Sequence, residues 1–351
     1  MYVAPRPDAV EDPLYGIRLG LTGALSFAAI PLLDPLMPTI VAALPVGLIA
    51  AQRKAFAPAR ILAGPIAASV MALLMAWFVT WVQPMPVVFA GAMWLVYFAG
   101  FGMILRTGAA PGMLVVIMGV LFSVVGMSGA AAVTVLRNEF ILAALLTLVI
   151  APLVYTVCPA RTGVPHADQP TPGQGNTALG AAIRASVLLA LSFWLYAVMP
   201  PSDIMMAIMA ALVLVFPTRR AVFFEAGQRM RATLYGSALA AIVLALFLLS
   251  PNLPVLLGLI FLAGLWVGQR MLFDPRPHMA YQNAYPAAMA LIAGALSTQD
   301  PADAILSRIV LTLTGAFAAA FAVALLDQVT NWRPENSRLP AGAALDRAGP
   351  V

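Results

Sequence analysis

The sequence predicts an all-α polytopic membrane protein of about twelve transmembrane helices, arranged as two parallel six-helix repeats. Three observations predict this class: the chain is apolar throughout, its apolar runs fall into twelve stretches near spanning length, and one short pattern returns at a fixed interval. Of 351 residues, 62% are hydrophobic and 9% charged, against roughly 25% charged in an ordinary soluble domain. A soluble chain this apolar could not cover its own surface.

A spanning helix needs about 20 mostly apolar residues. Such runs fall at roughly 15–33, 36–52, 61–83, 86–105, 110–129 and 139–158, and again at 178–199, 203–217, 232–250, 253–273, 284–298 and 305–328. Pro35, Pro84, Pro111, Pro200 and Pro254 mark turns between them. The expected layout is a cytoplasmic segment over 1–14, a first repeat over 15–158, a cytoplasmic linker over 159–177, a second repeat over 178–328 and a disordered cytoplasmic tail over 329–351. Arg6, Asp8, Glu11 and Asp12 leave the opening segment without an apolar core, so it does not read as a signal peptide.

The recurring pattern is Ile17-Arg18, Ala24-Leu25-Ser26-Phe27 and Arg53, which reappears 166 positions later as Ile183-Arg184, Ala190-Leu191-Ser192-Phe193 and Arg219. Without a gap, 17–56 and 183–222 share ten identities in forty. Six helices between the copies return the chain to its starting side, which makes the repeats parallel rather than inverted. With the N-terminus inside, 17 of the 19 Lys and Arg residues fall on the cytoplasmic side and only Arg137 and Arg308 on the other. That asymmetry orients the protein with both termini in the cytoplasm.

Several function classes are excluded. The lone Cys158 allows no intramolecular disulfide, and the two histidines, His166 and His278, lie in polar loops, so no metal site and no cofactor is expected. No GxxxxGK[ST] run is present, so transport would draw on an ion gradient or a partner. The net charge of +5 is explained by cationic loops rather than by nucleic acid. An enzyme acting on lipid would need convergent His, Asp or Glu at membrane depth, and the sequence offers no such cluster.

Both halves place a basic turn between their second and third helices, followed by a Gly suited to close packing: Gln52-Arg53-Lys54 to Arg60 and Gly64, then Thr218-Arg219-Arg220 to Arg229, Arg231 and Gly236. The last helix opens Arg308-Ile-Val-Leu-Thr-Leu-Thr-Gly315. These elements resemble the fusaric acid resistance and aromatic acid exporter family over about 15–328. The resemblance implies an inner-membrane efflux protein for aromatic carboxylic acids or related organic anions, working with a periplasmic membrane-fusion partner. Larger members carry substantial cytosolic regions that this chain does not show, and the first half's sixth helix, from Arg137-Asn-Glu139, lacks the Gly. The major facilitator superfamily shares the parallel six-plus-six plan, but its basic loop holds a Gly and an Asp; Gln52–Arg60 has neither.

Candidate site residues follow. Arg137 and Arg308 each open the sixth helix of their half, against the orientation rule. They read either as a pair holding a substrate carboxylate bidentately, or as interface residues snorkelling to headgroups or pairing with Glu139 and Asp303. Gln282, Asn283 and Tyr285 read as substrate hydrogen-bonding groups or as a helix cap. Trp94, Tyr97 and Trp266 read as stacking partners for an aromatic ring or as interface anchors. Asp34, Asp203 and Glu139 read as proton-coupling carboxylates, the two Asp alternatively as ordinary turn residues. Arg18 and Arg184 read as anchors or as a cationic cytoplasmic entrance. The expected partners are an organic anion, the lipid bilayer, a periplasmic fusion protein and a second copy in a homo-oligomer. The alternative to a proton-coupled secondary exporter is a passive organic-anion channel.

Overall fold

The computed structural model describes residues 9–52, 54–107, 110–163, 176–198, 219–274, 278–297 and 301–330. Within them run eleven helices: α1 Tyr15–Leu33, α2 Pro38–Ala51, α3 Pro58–Val82, α4 Pro86–Thr107, α5 Ala110–Met127, α6 Ala130–Val157, α7 Thr177–Val198, α8 Arg219–Leu249, α9 Leu253–Phe273, α10 His278–Ser297 and α11 Pro301–Val329. Seven hold a stretch long and apolar enough to cross a membrane, in α1, α3, α4, α6, α7, α8 and α9. The architecture is that of a multi-pass all-helical membrane protein. The expected span over 203–217, with Asp203, lies outside the described residues.

Local chemistry places the ends. Proline opens α2, α3, α4 and α11, where its missing N–H costs nothing and its fixed φ suits the first turn. α1 ends at Asp34, in the left-handed region at φ 45°, with its N–H on the Ile30 carbonyl; a short acid tolerates that conformation. Gly129, at φ 122°, separates α5 from α6 in a region closed to other residues. Four helices start well before their apolar runs: α6 at Ala130 rather than near 139, α8 at Arg219 rather than near 232, α10 at His278 rather than near 284, and α11 at Pro301 rather than near 305. Hydropathy marks only the part of a helix that sits in lipid. The basic stretch from Arg219 to Arg231 contains no proline and continues as helix instead of forming a turn. α8 is 31 residues long, about 46 Å, against a hydrocarbon layer of about 30 Å.

The surface is apolar and the polar groups point inward. Ile66, Val70, Leu73, Trp77 and Trp81 form an exposed stripe on α3, with Trp77 62% and Trp81 68% exposed, a face suited to lipid and not to water. Buried hydroxyls return to their own helices: Thr22 donates to the Arg18 carbonyl, Ser26 to Thr22, Thr147 to Ala143 and Ser192 to Leu188. In a medium without water each such donor needs an internal acceptor.

Helices of the two sequence halves pack on each other. α1 lies along α9, α2 along α10 and α6, α4 along α7 and α5, α3 along α6, and α8 along α10 and α11. One buried cluster draws on α3–α6 with α7 and α11; another draws on α1 and α2 with α8–α10. The α1–α9 crossing is antiparallel and nearly bare backbone. A Cβ on Gly20 would stand 2.5 Å from the Phe261 carbonyl oxygen, and one on Gly264 2.5 Å from the Gly20 Cα. A Cβ on Gly268 would collide with the Gly16 Cα. These are two facing small-xxx-small pairs, the arrangement that lets membrane helices approach closely. Gly236 likewise meets α10, with its Cβ position 2.7 Å from the Ala284 carbonyl, whereas Gly64 makes only an ordinary contact with Leu48.

Gly264→Leu is expected to lower stability by roughly 1–3 kcal/mol or more, the overpacking range, read as a fall in the melting temperature of the detergent-solubilised protein. Gly258→Leu on the same helix, where a Cβ meets nothing within 4 Å, should leave it unchanged.

Candidate functional site

At the end of the bundle where α1 begins, three helices enclose a small cavity. α8 supplies Tyr235, α9 supplies Trp266 and Arg270, Asp274 caps α9, and α10 supplies Tyr281; the cavity holds about 240 Å³. Positions 266, 270 and 274 recur every four residues, so they share one face of α9 and its cap. The Tyr235 and Tyr281 rings stack at 5.3 Å with a 10° interplanar angle. Trp266 meets Tyr281 edge-on at 6.3 Å. The Arg270 guanidinium lies over Trp266, 5.5 Å from the ring centroid. The Tyr281 hydroxyl donates to Asp274 Oδ2 at 2.9 Å, whereas Arg270 Nη1 stands 3.6 Å from the same oxygen. Asp274 is thus hydrogen-bonded by the tyrosine and only loosely paired with Arg270, whose side chain is half exposed. The arrangement places aromatic rings beside one half-exposed cation at the mouth, with the Tyr281 hydroxyl committed to Asp274. It suits a planar ring bearing an anionic group.

Beside this cavity the base of α1 holds a buried ion pair. Tyr15 donates to the Ala50 carbonyl at 2.9 Å and contacts Met271 Sδ at 3.5 Å, joining α1, α2 and α9. Arg18 is fully buried. It forks onto both carboxylate oxygens of Asp12, donates to the Cys158 carbonyl at 3.1 Å and sits 4.2 Å from the Tyr155 ring centroid. Arg184 on α7 is equally buried; Nη1 donates to the Gly180 carbonyl at 3.1 Å and the charge of buried Asp327 acts on it. Lys54 and Glu11 pair at 3.0 Å over the same base, and the Glu11 carbonyl accepts from the backbones of Arg161 and Thr162.

Residues 189–322 match the family model described as fusaric acid resistance protein-like. This stretch is similar to a fusaric acid resistance-like domain. No curated protein and no solved structure matches the chain. The matched stretch contains every residue lining the aromatic cavity.

The other sequence-predicted residues spread over several places. Within the matched stretch, Gln282 and Asn283 are half-buried interior residues of α10 rather than caps, because the helix already starts at His278. Tyr285 is buried at the α1–α9 crossing and donates to the Ile260 carbonyl at 3.0 Å. Arg308 is the eighth residue of α11, with its side chain outside the described part. Before that stretch, Trp94 stacks on Phe98 and donates to Ser186 at 3.0 Å, and Tyr97 is buried against Ser123 at 2.7 Å. Tyr97 and Tyr285 thus belong to separate clusters. Arg137 is the eighth residue of α6, and its Nε and Nη2 donate to Asn138, not to Glu139. Glu139 is buried, and its Oε1 accepts from the Leu36 N–H at 2.9 Å, beside Asp34 in the α1–α2 corner. The sequence reading took up Trp266 as a stacking residue but missed the cavity. The signal that finds it is the run of Trp, Arg and Asp at four-residue spacing, with a tyrosine seven residues beyond.

Asp12→Ala is expected to destabilise by about 3–5 kcal/mol, because it strands a buried guanidinium. The double change Asp12→Leu/Arg18→Met should recover most of that loss. Thermal unfolding in detergent compares the two.

Proposed function

We propose that this protein is an inner-membrane secondary exporter of aromatic carboxylic acids and related organic anions, driven by proton entry. The observation that carries this reading is the aromatic cavity inside the fusaric acid resistance-like stretch, with Arg270 at its mouth. An aromatic acid would lay its ring against Trp266 and the tyrosines and give its carboxylate to Arg270, which Asp274 holds only at 3.6 Å. With the cations of the chain on the cytoplasmic side, the cavity opens where substrate is collected. The cross-packing of α1 with α9 and of α4 with α7 supports two six-helix halves working as a pair around one axis. So does the shared eighth-residue position of Arg137 and Arg308 in their helices. Alternating access between such halves is the mechanism this plan serves. A periplasmic membrane-fusion protein would extend the route outward.

The test is accumulation of labelled p-hydroxybenzoate in inside-out membrane vesicles, with and without a proton gradient. Gradient-dependent accumulation is expected. Flux that only equilibrates, indifferent to the gradient, would instead make the protein a passive anion channel. Arg270→Gln and Trp266→Ala should each raise the half-saturating concentration about tenfold or more, in keeping with about 1.5–3 kcal/mol for a hydrogen bond to a charged group. Unchanged transport in both variants would remove the cavity from the route. No transport by the wild type of this or any acid in a panel would remove the export reading.

A further inference from the structure

Glu139 is the most isolated buried carboxylate in the described residues. It is 6% exposed, its Oε1 is held by the Leu36 N–H at 2.9 Å, and its Oε2 has no hydrogen-bond partner. From it a buried line runs down one face of α6 at four-residue spacing: Glu139, Ala143, Thr147, Ala151 and Tyr155, all under 7% exposed. Tyr155 ends the line with a buried hydroxyl that also lacks a partner. A matching line runs along α1, with Ser26, Thr22 and Arg18 at the same spacing and all fully buried. The two lines meet at both ends. At one end the corner after α1 hydrogen-bonds Glu139 through Leu36. At the other, Arg18 lies over Tyr155 and forks onto Asp12. The seam therefore carries a buried carboxylate at each end and hydroxyls between them. Glu139 and Tyr155 are about 24 Å apart along the helix.

The second half lacks the α6 line. Counted from the first residue of each helix, the positions of Glu139, Thr147 and Tyr155 in α6 are held in α11 by Val310, Ala318 and Leu326. α7 repeats the α1 part of the seam, with Arg184 and Ser192 fully buried, so what is particular to the first half is the run of Glu139, Thr147 and Tyr155 on α6.

We propose that the α1–α6 seam is the proton route of the exporter, with Glu139 as its outer acceptor. This inference rests on the proposed proton-coupled export. A proton from water on the outer side forms an O–H bond at Oε2, while Oε1 keeps its bond to Leu36. The O–H bond at Oε2 is later broken and the proton leaves to water on the inner side, restoring the carboxylate. The charged surroundings of Glu139 are sparse. α2 and α5 carry no acidic or basic side chain, α3 carries only Arg60, at its far end, and Arg18 lies at the far end of α1. Asp34 stands in the neighbouring corner, and Arg137, two residues away, is engaged with Asn138.

Two measurements test it. In liposomes, Glu139→Gln should keep p-hydroxybenzoate exchange within about twofold of wild type and lose accumulation driven by a pH gradient. Accumulation retained in full by the variant overturns the proposal. The second measurement uses the unaltered protein and needs no transport. Dicyclohexylcarbodiimide, which reacts with protonated carboxyls in apolar surroundings, should label Glu139. Absence of label at Glu139 across the pH range, by peptide mass spectrometry, also overturns the proposal. Wild-type liposomes that accumulate no acid would count against the export reading, and the labelling would then decide the proton site alone.

Discussion

The contact on which the rest of the structure depends is the crossing of α1 and α9 at Gly16, Gly20, Gly264 and Gly268. In a bilayer no hydrophobic force draws helices together, because lipid tails are as apolar as leucine. Association rests on close packing, and only glycine lets two backbones meet at this distance. The crossing has three effects. It ties the first helix of one half to the second half, and it leaves room beside Gly23 and Gly264 for the Tyr285 hydroxyl. It also holds the base of α9, with Arg270, Asp274 and the aromatic cavity, next to the base of α1, where Arg18 is buried.

Burial of charge is the second organising constraint. A central arginine costs about 2.5–3.5 kcal/mol on insertion scales, and two are kept here in matching places with different compensation. Asp12, from the segment before α1, answers Arg18; Asp327, from the end of α11, acts on Arg184. On the reading of two repeats, the scaffold is shared and the electrostatics are not. The same holds for Glu139, whose position, counted from the helix start, is taken in α11 by the exposed Val310.

Much of this was legible in the amino-acid sequence. Apolar runs located each of the eleven described helices, to within a few residues at most ends, because a membrane helix must carry its own apolar length. α8 and α11 began earlier than expected because flanking polar residues keep helical geometry once a helix is under way, and α6 because its apolar span extends back to Ala130, past Arg137 and Glu139. His278–Ser297 was anticipated only from 284, because its first turns are polar. The recurring arginines drew notice as entrance or anchor residues. Their burial was not legible: Asp12 sits only six residues before Arg18 but in the polar segment ahead of the helix, and Asp327 lies near the end of α11, far from Arg184 in sequence. The cavity escaped because its four aromatic and charged side chains on α8 and α9 acquire meaning only when Tyr281 of α10 closes over them. Helix-to-helix register is a tertiary property, and no periodicity within one segment reports it.

The exchange of helices between halves bears on how the protein is made. As the chain emerges, α1 enters the membrane with Gly16, Gly20 and Gly23 facing lipid, and its partner α9 arrives only after residue 253. For most of synthesis the first helix has a notch and no occupant, and the interface it was built for does not yet exist. Neither half completes its own core without the other. Assembly must therefore be late and concerted, and a chain halted between α7 and α9 would present an unfinished surface to the membrane's quality control.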